Sequence, residues 1–205
     1  MTARATPPQE SPVGPIRSDA VPTQPWKNGG GLMRELLVWP HTGDWRARVG
    51  VADIAADGPF SDFPGVERWF VVLKGAGVEL TVGASAHRLT RIAAPLRFDG
   101  GAATRCMLLA GPVQALNLML NGARGGIEIV HDGEPWTPPA GACGLFTAVA
   151  GRCGEVELPH HALLWFDVAP ARLVFEAGER PACAVGWWLT AAPLAQAAAP
   201  PKGTP

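Results

Sequence analysis

The chain reads as an all-β protein, a sandwich or barrel of short antiparallel strands. Three observations predict this: many brief apolar segments, regular punctuation by glycine, proline and aspartate, and no sustained helical period. With 205 residues, 47% of them apolar, the chain is long enough to bury a core as one large β domain or two small ones.

Taken in order, residues 1–22 carry Pro, Ser, Thr and charge and read as a flexible leader. A strand is expected over 34–39, directly after a glycine run. In 45–54 the alternation is clear, with Trp45, Ala47 and Val49 on one face and Arg46 and Arg48 on the other. Further strands are expected at 68–73, 77–82, 104–110, 113–120, 127–130, 162–167 and 182–190. The aromatic-rich stretch 69–75, followed by Val78-Glu79-Leu80 and Pro95, is echoed by 163–167, then Leu173-Val174-Phe175 and Pro181. That echo is compatible with two tandem small barrels, placed at 23–102 and 103–190, ahead of an Ala/Pro tail at 191–205.

The formal net charge is -1 and no basic run is present, which argues against nucleic acid and membrane surfaces as partners. No apolar run is long enough to span a bilayer, and no signal peptide is visible. Cys106, Cys143, Cys153 and Cys183 are scattered without a Cys-x-x-Cys pair, so reduced, buried thiols in a cytoplasmic protein are expected.

The first motif is Pro25-Trp26-Lys27-Asn28-Gly29-Gly30-Gly31, leading into Arg34-Glu35. Three glycines allow positive φ or close approach of another group, and they are flanked by an aromatic, a cation and an amide. No helix follows, so this is not a phosphate loop. Either it is a binding loop or it is a tight turn with Trp26 as a core plug.

The second motif is Asp57-Gly58-Pro59-Phe60-Ser61-Asp62-Phe63-Pro64-Gly65-Val66-Glu67-Arg68. Its two Gly/Pro turns hold the intervening loop stiffly. Phe60 and Phe63 have the plainer reading of capping a barrel end, while Ser61 and Arg68 are candidates to line its mouth.

Catalytic and metal signatures are weak. His41, His87, His131, His160 and His161 contain no His-x-His pair, and adjacent His160 and His161 on a strand point to opposite faces. No metal or other cofactor is therefore expected. Gly-x-Ser-x-Gly is absent, Glu35 and Glu67 beside arginines read as ion pairs, and no catalytic residue is assigned.

The combination of Trp26-Lys27-Asn28-Gly29-Gly30-Gly31 with Arg34-Glu35, Trp45-Arg46, the Gly58–Gly65 loop with Arg68, and Asn117-Leu118-Met119 resembles the HutD family, also called Ves. The resemblance covers about residues 22–190. It implies a cupin-like, two-barrel (bicupin) protein associated with bacterial histidine-utilisation genes or with stress. Such proteins are thought to bind a small molecule and restrain flux through the pathway rather than catalyse a step. This chain departs from the family pattern in Phe98-Asp99-Gly100-Gly101, where an acid is displaced from position 101. It departs again at Ala115 before Asn117, and at Asn121, with Arg124 as a compensating candidate.

The resulting expectation is a non-enzymatic protein that binds a small anionic metabolite. Arg34 or Arg68 would take a carboxylate by paired hydrogen bonds. Asn28, Ser61 and Asn117 would orient it, Trp26 and Phe60 would wall it, and Lys27 and Gly30 would complete the loop. The resemblance suggests urocanate or formylglutamate. A cupin-type isomerase or dioxygenase acting on a small carboxylate is the alternative, and a homodimer joined through strand edges is compatible with either.

Overall fold

The structure is a computed structural model that describes residues 14–26, 29–91, 94–179 and 183–194. It is all-β, with a single short 3₁₀ turn at Ser18–Ala20 among the described residues. Every ladder among the described residues is antiparallel.

Four sheets form two units. In the first unit, a six-stranded sheet runs in the order Gln24–Pro25, Gly31–Trp39, Ala47–Ile54, Val113–Asn121, Val66–Lys74, Leu96–Asp99. Its partner sheet has the order Gly58–Pro59, Thr104–Leu108, Val78–Val82, Ser85–Leu89. In the second unit, a five-stranded sheet runs Ile16–Arg17, Ala162–Phe166, Ala142–Thr147, Gly186–Pro193, Ala123–Ile129. Its companion has the order Pro135–Trp136, Leu173–Ala177, Gly151–Cys153, Val156–Leu158. These ladders make four sheets rather than the two closed barrels expected.

The two large sheets bury a common core. Val49, Val51, Val71, Leu73, Leu116 and Leu118 of the first meet Phe146, Leu163, Trp165, Trp187 and Leu189 of the second. The opposite face of the six-stranded sheet packs Ala52, Ile54, Phe70, Val72 and Ala115 against Val78, Leu80 and Cys106. This sheet is therefore covered on both faces, which is why Trp69-Phe70-Val71-Val72-Leu73 reads as an unbroken apolar run instead of an alternating one. A third core, around Leu145, Leu164, Phe175 and Trp188, fills the second unit.

The expected strand segments each overlap an observed strand, but the organisation differs in three places. Thr104–Leu108 and Val113–Asn121 belong to the first unit, because Val113–Asn121 pairs with Ala47–Ile54 on one side and Val66–Lys74 on the other. The chain leaves the six-stranded sheet after Asn121 and enters the five-stranded sheet at Ala123, with Gly122 (φ +56°) between them. Within the expected leader, Ile16 and Arg17 add an edge strand to Leu163 and Ala162. Residues 191–193, placed in the tail, close the strand Gly186–Pro193. No helix among the described residues is long and apolar enough to cross a membrane. The four cysteines are free thiols, and burial pushes Cys106 and Cys143 up to about 12.

Candidate functional site

The first unit contains a cavity of about 460 Å³, open at one end of the six-stranded sheet. Strand alternation decides who faces it. Met33 and Glu35 from Gly31–Trp39, Ala52 from Ala47–Ile54, Arg68 from Val66–Lys74, and Asn117 and Met119 from Val113–Asn121 all line it. The 57–65 loop contributes Phe60, Ser61, Asp62 and Phe63, and the entry to the glycine turn contributes Trp26.

The glycine turn is pinned by backbone bonds. Trp26 N–H donates to Gly31 O (2.9 Å), Gly29 N–H to Trp26 O (3.0 Å), and Ala55 N–H to Gly30 O (3.2 Å). A Cβ on Gly31 would lie 2.4 Å from Asp53 O, so that position requires glycine, and the φ of +72° at Gly29 favours it there. The turn sets Trp26 edge-on against Phe60, with ring centres 5.7 Å apart. Lys27 and Asn28 lie outside the described residues. Gly30 serves as backbone of the turn.

The second loop is clipped at both ends. Phe60 N–H donates to Thr104 O (2.9 Å) and Phe63 N–H to Gly100 O (2.7 Å). This draws three rings around one guanidinium: the Arg68 Cζ lies 5.1 Å from the centre of Phe60, 5.1 Å from Phe98 and 5.6 Å from Phe63. Arg68 is 8% exposed. It has no carboxylate partner among the described residues. Its Nη1 donates to the Ser61 carbonyl at 3.3 Å, and its buried Nε has no acceptor. Burial lowers its pKa to about 10, so the side chain remains a full cation at neutral pH.

Asn117 is 5% exposed, opposite Gly50 and Phe70 in register, and its amide makes no hydrogen bond to a described residue. Across the cavity Arg48 and Glu35 form an ion pair, with Arg48 Nε donating to Glu35 Oε2 at 2.9 Å and Nη2 to the same oxygen. Among the described residues the site thus offers a guanidinium without an acidic partner, an amide without a hydrogen bond, and an apolar wall of Trp26, Phe60 and the two methionines. That arrangement suits a small anion carrying an apolar or planar body.

Arg34 is not part of it. The strand's period of two turns Arg34 to the opposite face from Met33 and Glu35. There it pairs with Asp53, which also accepts from Gln114 Nε2 at 2.8 Å. Arg124 also lies elsewhere, lining a separate groove with Trp69 and Gly126. Glu35, Arg48, Met33 and Met119 were missed as site residues. Among the described residues, no three of His, Cys, Asp and Glu converge as metal ligands would.

Stacked antiparallel sheets with a lined cavity in the first unit define a cupin-like protein. The HutD family model matches residues 18–157, and the chain belongs to that family. It is 34% identical over 151 residues to protein Ves of Citrobacter koseri, covering 60% of this chain and 78% of that one. It is also 34% identical over 108 residues to a protein encoded in the hutC 3′ region of Pseudomonas putida. That match spans 51% of this chain and 56%, just over half, of the relative. Among solved structures, HutD from Pseudomonas fluorescens SBW25, obtained in a formate condition, superimposes with a TM-score of 0.75 at 26% identity. The superposition covers 86% of this chain and 95% of that structure.

Proposed function

We propose that the first unit binds a small carboxylate of histidine degradation, of the urocanate or formylglutamate type, and that the protein regulates histidine utilisation by doing so. The observation that carries this reading is Arg68: a buried guanidinium with no acidic partner among the described residues. Retaining such a cation in an apolar site costs free energy unless an anion joins it. The carboxylate would lie against Arg68 and take a hydrogen bond from the Asn117 amide, with its body between Trp26, Phe60 and Met33 or Met119. Family membership and the hutC-region relative support the pathway. The formate condition of the Pseudomonas fluorescens structure is in keeping with a carboxylate subsite. The protein would act in the cytoplasm, without a metal or other cofactor.

The test is thermal unfolding and calorimetry with urocanate, formylglutamate, formiminoglutamate, glutamate and formate. At about a hundred times its dissociation constant, the right ligand stabilises by roughly 2.7 kcal/mol. No response to any of the five, at concentrations where chloride has no effect, would end this reading. The same samples followed by NMR separate binding from catalysis. Conversion of a bound carboxylate would make the protein an enzyme, with Glu35 and Asp62 the acids that line the cavity.

A further inference from the structure

At the other end of the strand Val66–Lys74, away from Arg68, a second cleft of about 370 Å³ opens where the two units meet. Lys74 and Arg91 of the first unit face His160 and His161 of the second across it, with Glu179 and Cys183 beside them and Trp187 among its apolar residues. We propose that this cleft is a second anion site, taking a compact dianion between Lys74 and Arg91 on one side and the two imidazoles on the other. The proposal is independent of the carboxylate reading for the Arg68 cavity.

Charge is the first support. Lys74 makes no ion pair with a described residue, and the recorded polar contact of Arg91 is to a thiol, Nη2 to Cys183 Sγ at 3.1 Å. Glu179 is the one acid in the lining, and among the described residues its one ion-pair contact is with His160 Nε2 at 3.9 Å, a partner that is charged only when protonated. Two fixed cations and two imidazoles therefore share one carboxylate inside a concave wall. A concave wall strengthens their joint field relative to the same charges on open surface.

The second support is how His161 is held. It is the one non-glycine residue with positive φ (+53°) among those described. That conformation is uncommon outside glycine, although histidine enters it more readily than most residues, and neighbours that over-determine it are a mark of sites where position matters. Here Thr147 O accepts from His161 N–H (2.9 Å), and His161 O accepts from Ser18 N–H (2.9 Å). The imidazole stacks on Phe146, with centres 6.0 Å apart and planes 26° from parallel. Burial and the nearby Lys74, His160 and Arg91 hold its pKa below the ordinary 6.5, with Asp19 opposing them. A dianion in the cleft opposes the like charges and favours the protonated form of His161. His160 already points Nδ1 at Ala148 O (3.4 Å), which leaves Nε2 toward the cleft.

Two dianions distinguish a tetrahedral oxyanion from an extended dicarboxylate: sulfate and succinate. Binding is measured by calorimetry at ionic strength matched with sodium chloride, in the Arg68→Met protein so that the first cavity is silent. At least one of the two is expected to bind saturably. The combined Lys74→Gln and Arg91→Gln changes, both at exposed positions, should weaken it about tenfold or more at unchanged unfolding midpoint. Absence of saturable binding by both anions overturns the proposal. So does binding that persists unchanged in the Lys74→Gln, Arg91→Gln protein.

Discussion

Arg68 donates from Nη1 to the backbone carbonyl of Ser61 at 3.3 Å, so the guanidinium is held by the loop and not by an acid. The contact explains two features together. The loop is stiff because its carbonyl is tied to a side chain rooted in the six-stranded sheet. The cation stays available because a neutral carbonyl leaves its charge uncompensated. Three aromatic faces supply the rest of its surroundings, which is poor solvation for a cation.

Replacing Arg68 by Met removes a desolvated charge and keeps most of the volume. Exchanging a buried charge for a well-packed apolar side chain is often neutral or stabilising, and the lost cation–ring attraction offsets part of the gain. Urea unfolding of the ligand-free variant is therefore expected within about 1 kcal/mol of the parent. Its thermal shift with the active carboxylate should vanish. A variant that still responds as the parent does would remove Arg68 from the site.

Arg34 provides the contrasting case. It pairs with Asp53 on the sheet face turned away from the cavity, and both side chains are partly exposed. Arg34→Ala should leave the carboxylate-induced shift intact. A double-mutant cycle with Asp53→Ala is expected to give a coupling of about 0.2–1 kcal/mol. Loss of the ligand response on this change alone would mean that the two arginines act together.

The contrast between these arginines marks how far the residues could be read unaided. Alternation showed that Arg34 and Glu35 must part company, but not which of the two faces would cover a cavity. The bulge between Glu35 and Leu37 further shifts the phase of that strand. Trp26, Phe60, Ser61, Arg68 and Asn117 were legible because stiff turns and an unusual run of motifs singled them out. The Arg48–Glu35 pair was not, since it depends on the register of two strands in the folded sheet. The same limit hid the unit boundary. Nothing local in 113–120 announces that it inserts between Ala47–Ile54 and Val66–Lys74, and nothing in Ile16 announces a pairing with distant Leu163.

A pH dependence follows from His161. Its folded pKa lies below 6.5, chiefly through burial, with like charges on Lys74, His160 and Arg91 acting in the same direction. The unfolded chain therefore takes up the proton first as pH falls. Stability from the neutral imidazole is complete above the ordinary value and is lost as pH drops below it toward the folded value. His161→Asn tolerates the left-handed backbone and carries no titrating group. Urea unfolding at about pH 7.5 and about pH 5.5 should show a smaller loss of stability in the variant than in the parent. Equal losses would assign the dependence to other groups.

Gly100 tests whether the loop and the guanidinium form one unit. Its N–H donates to Val66 O and its carbonyl accepts from Phe63 N–H, each at 2.7 Å, so the residue is sewn between strand and loop. A Cβ there would stand 2.7 Å from Val66 O, 2.8 Å from Phe63 O and 3.2 Å from Arg68 Cδ. Two of those neighbours are backbone and cannot swing aside, so Gly100→Ala must displace the loop or the stem of Arg68. Overpacking of this kind costs about 1–3 kcal/mol. Because Phe63 and Ser61 travel with the loop, ligand affinity should fall with stability even though Gly100 itself does not line the cavity. Calorimetry well below the variant's melting temperature separates the two effects. Unchanged affinity in a destabilised protein would show that the loop's position is set by Phe60 and Thr104 alone.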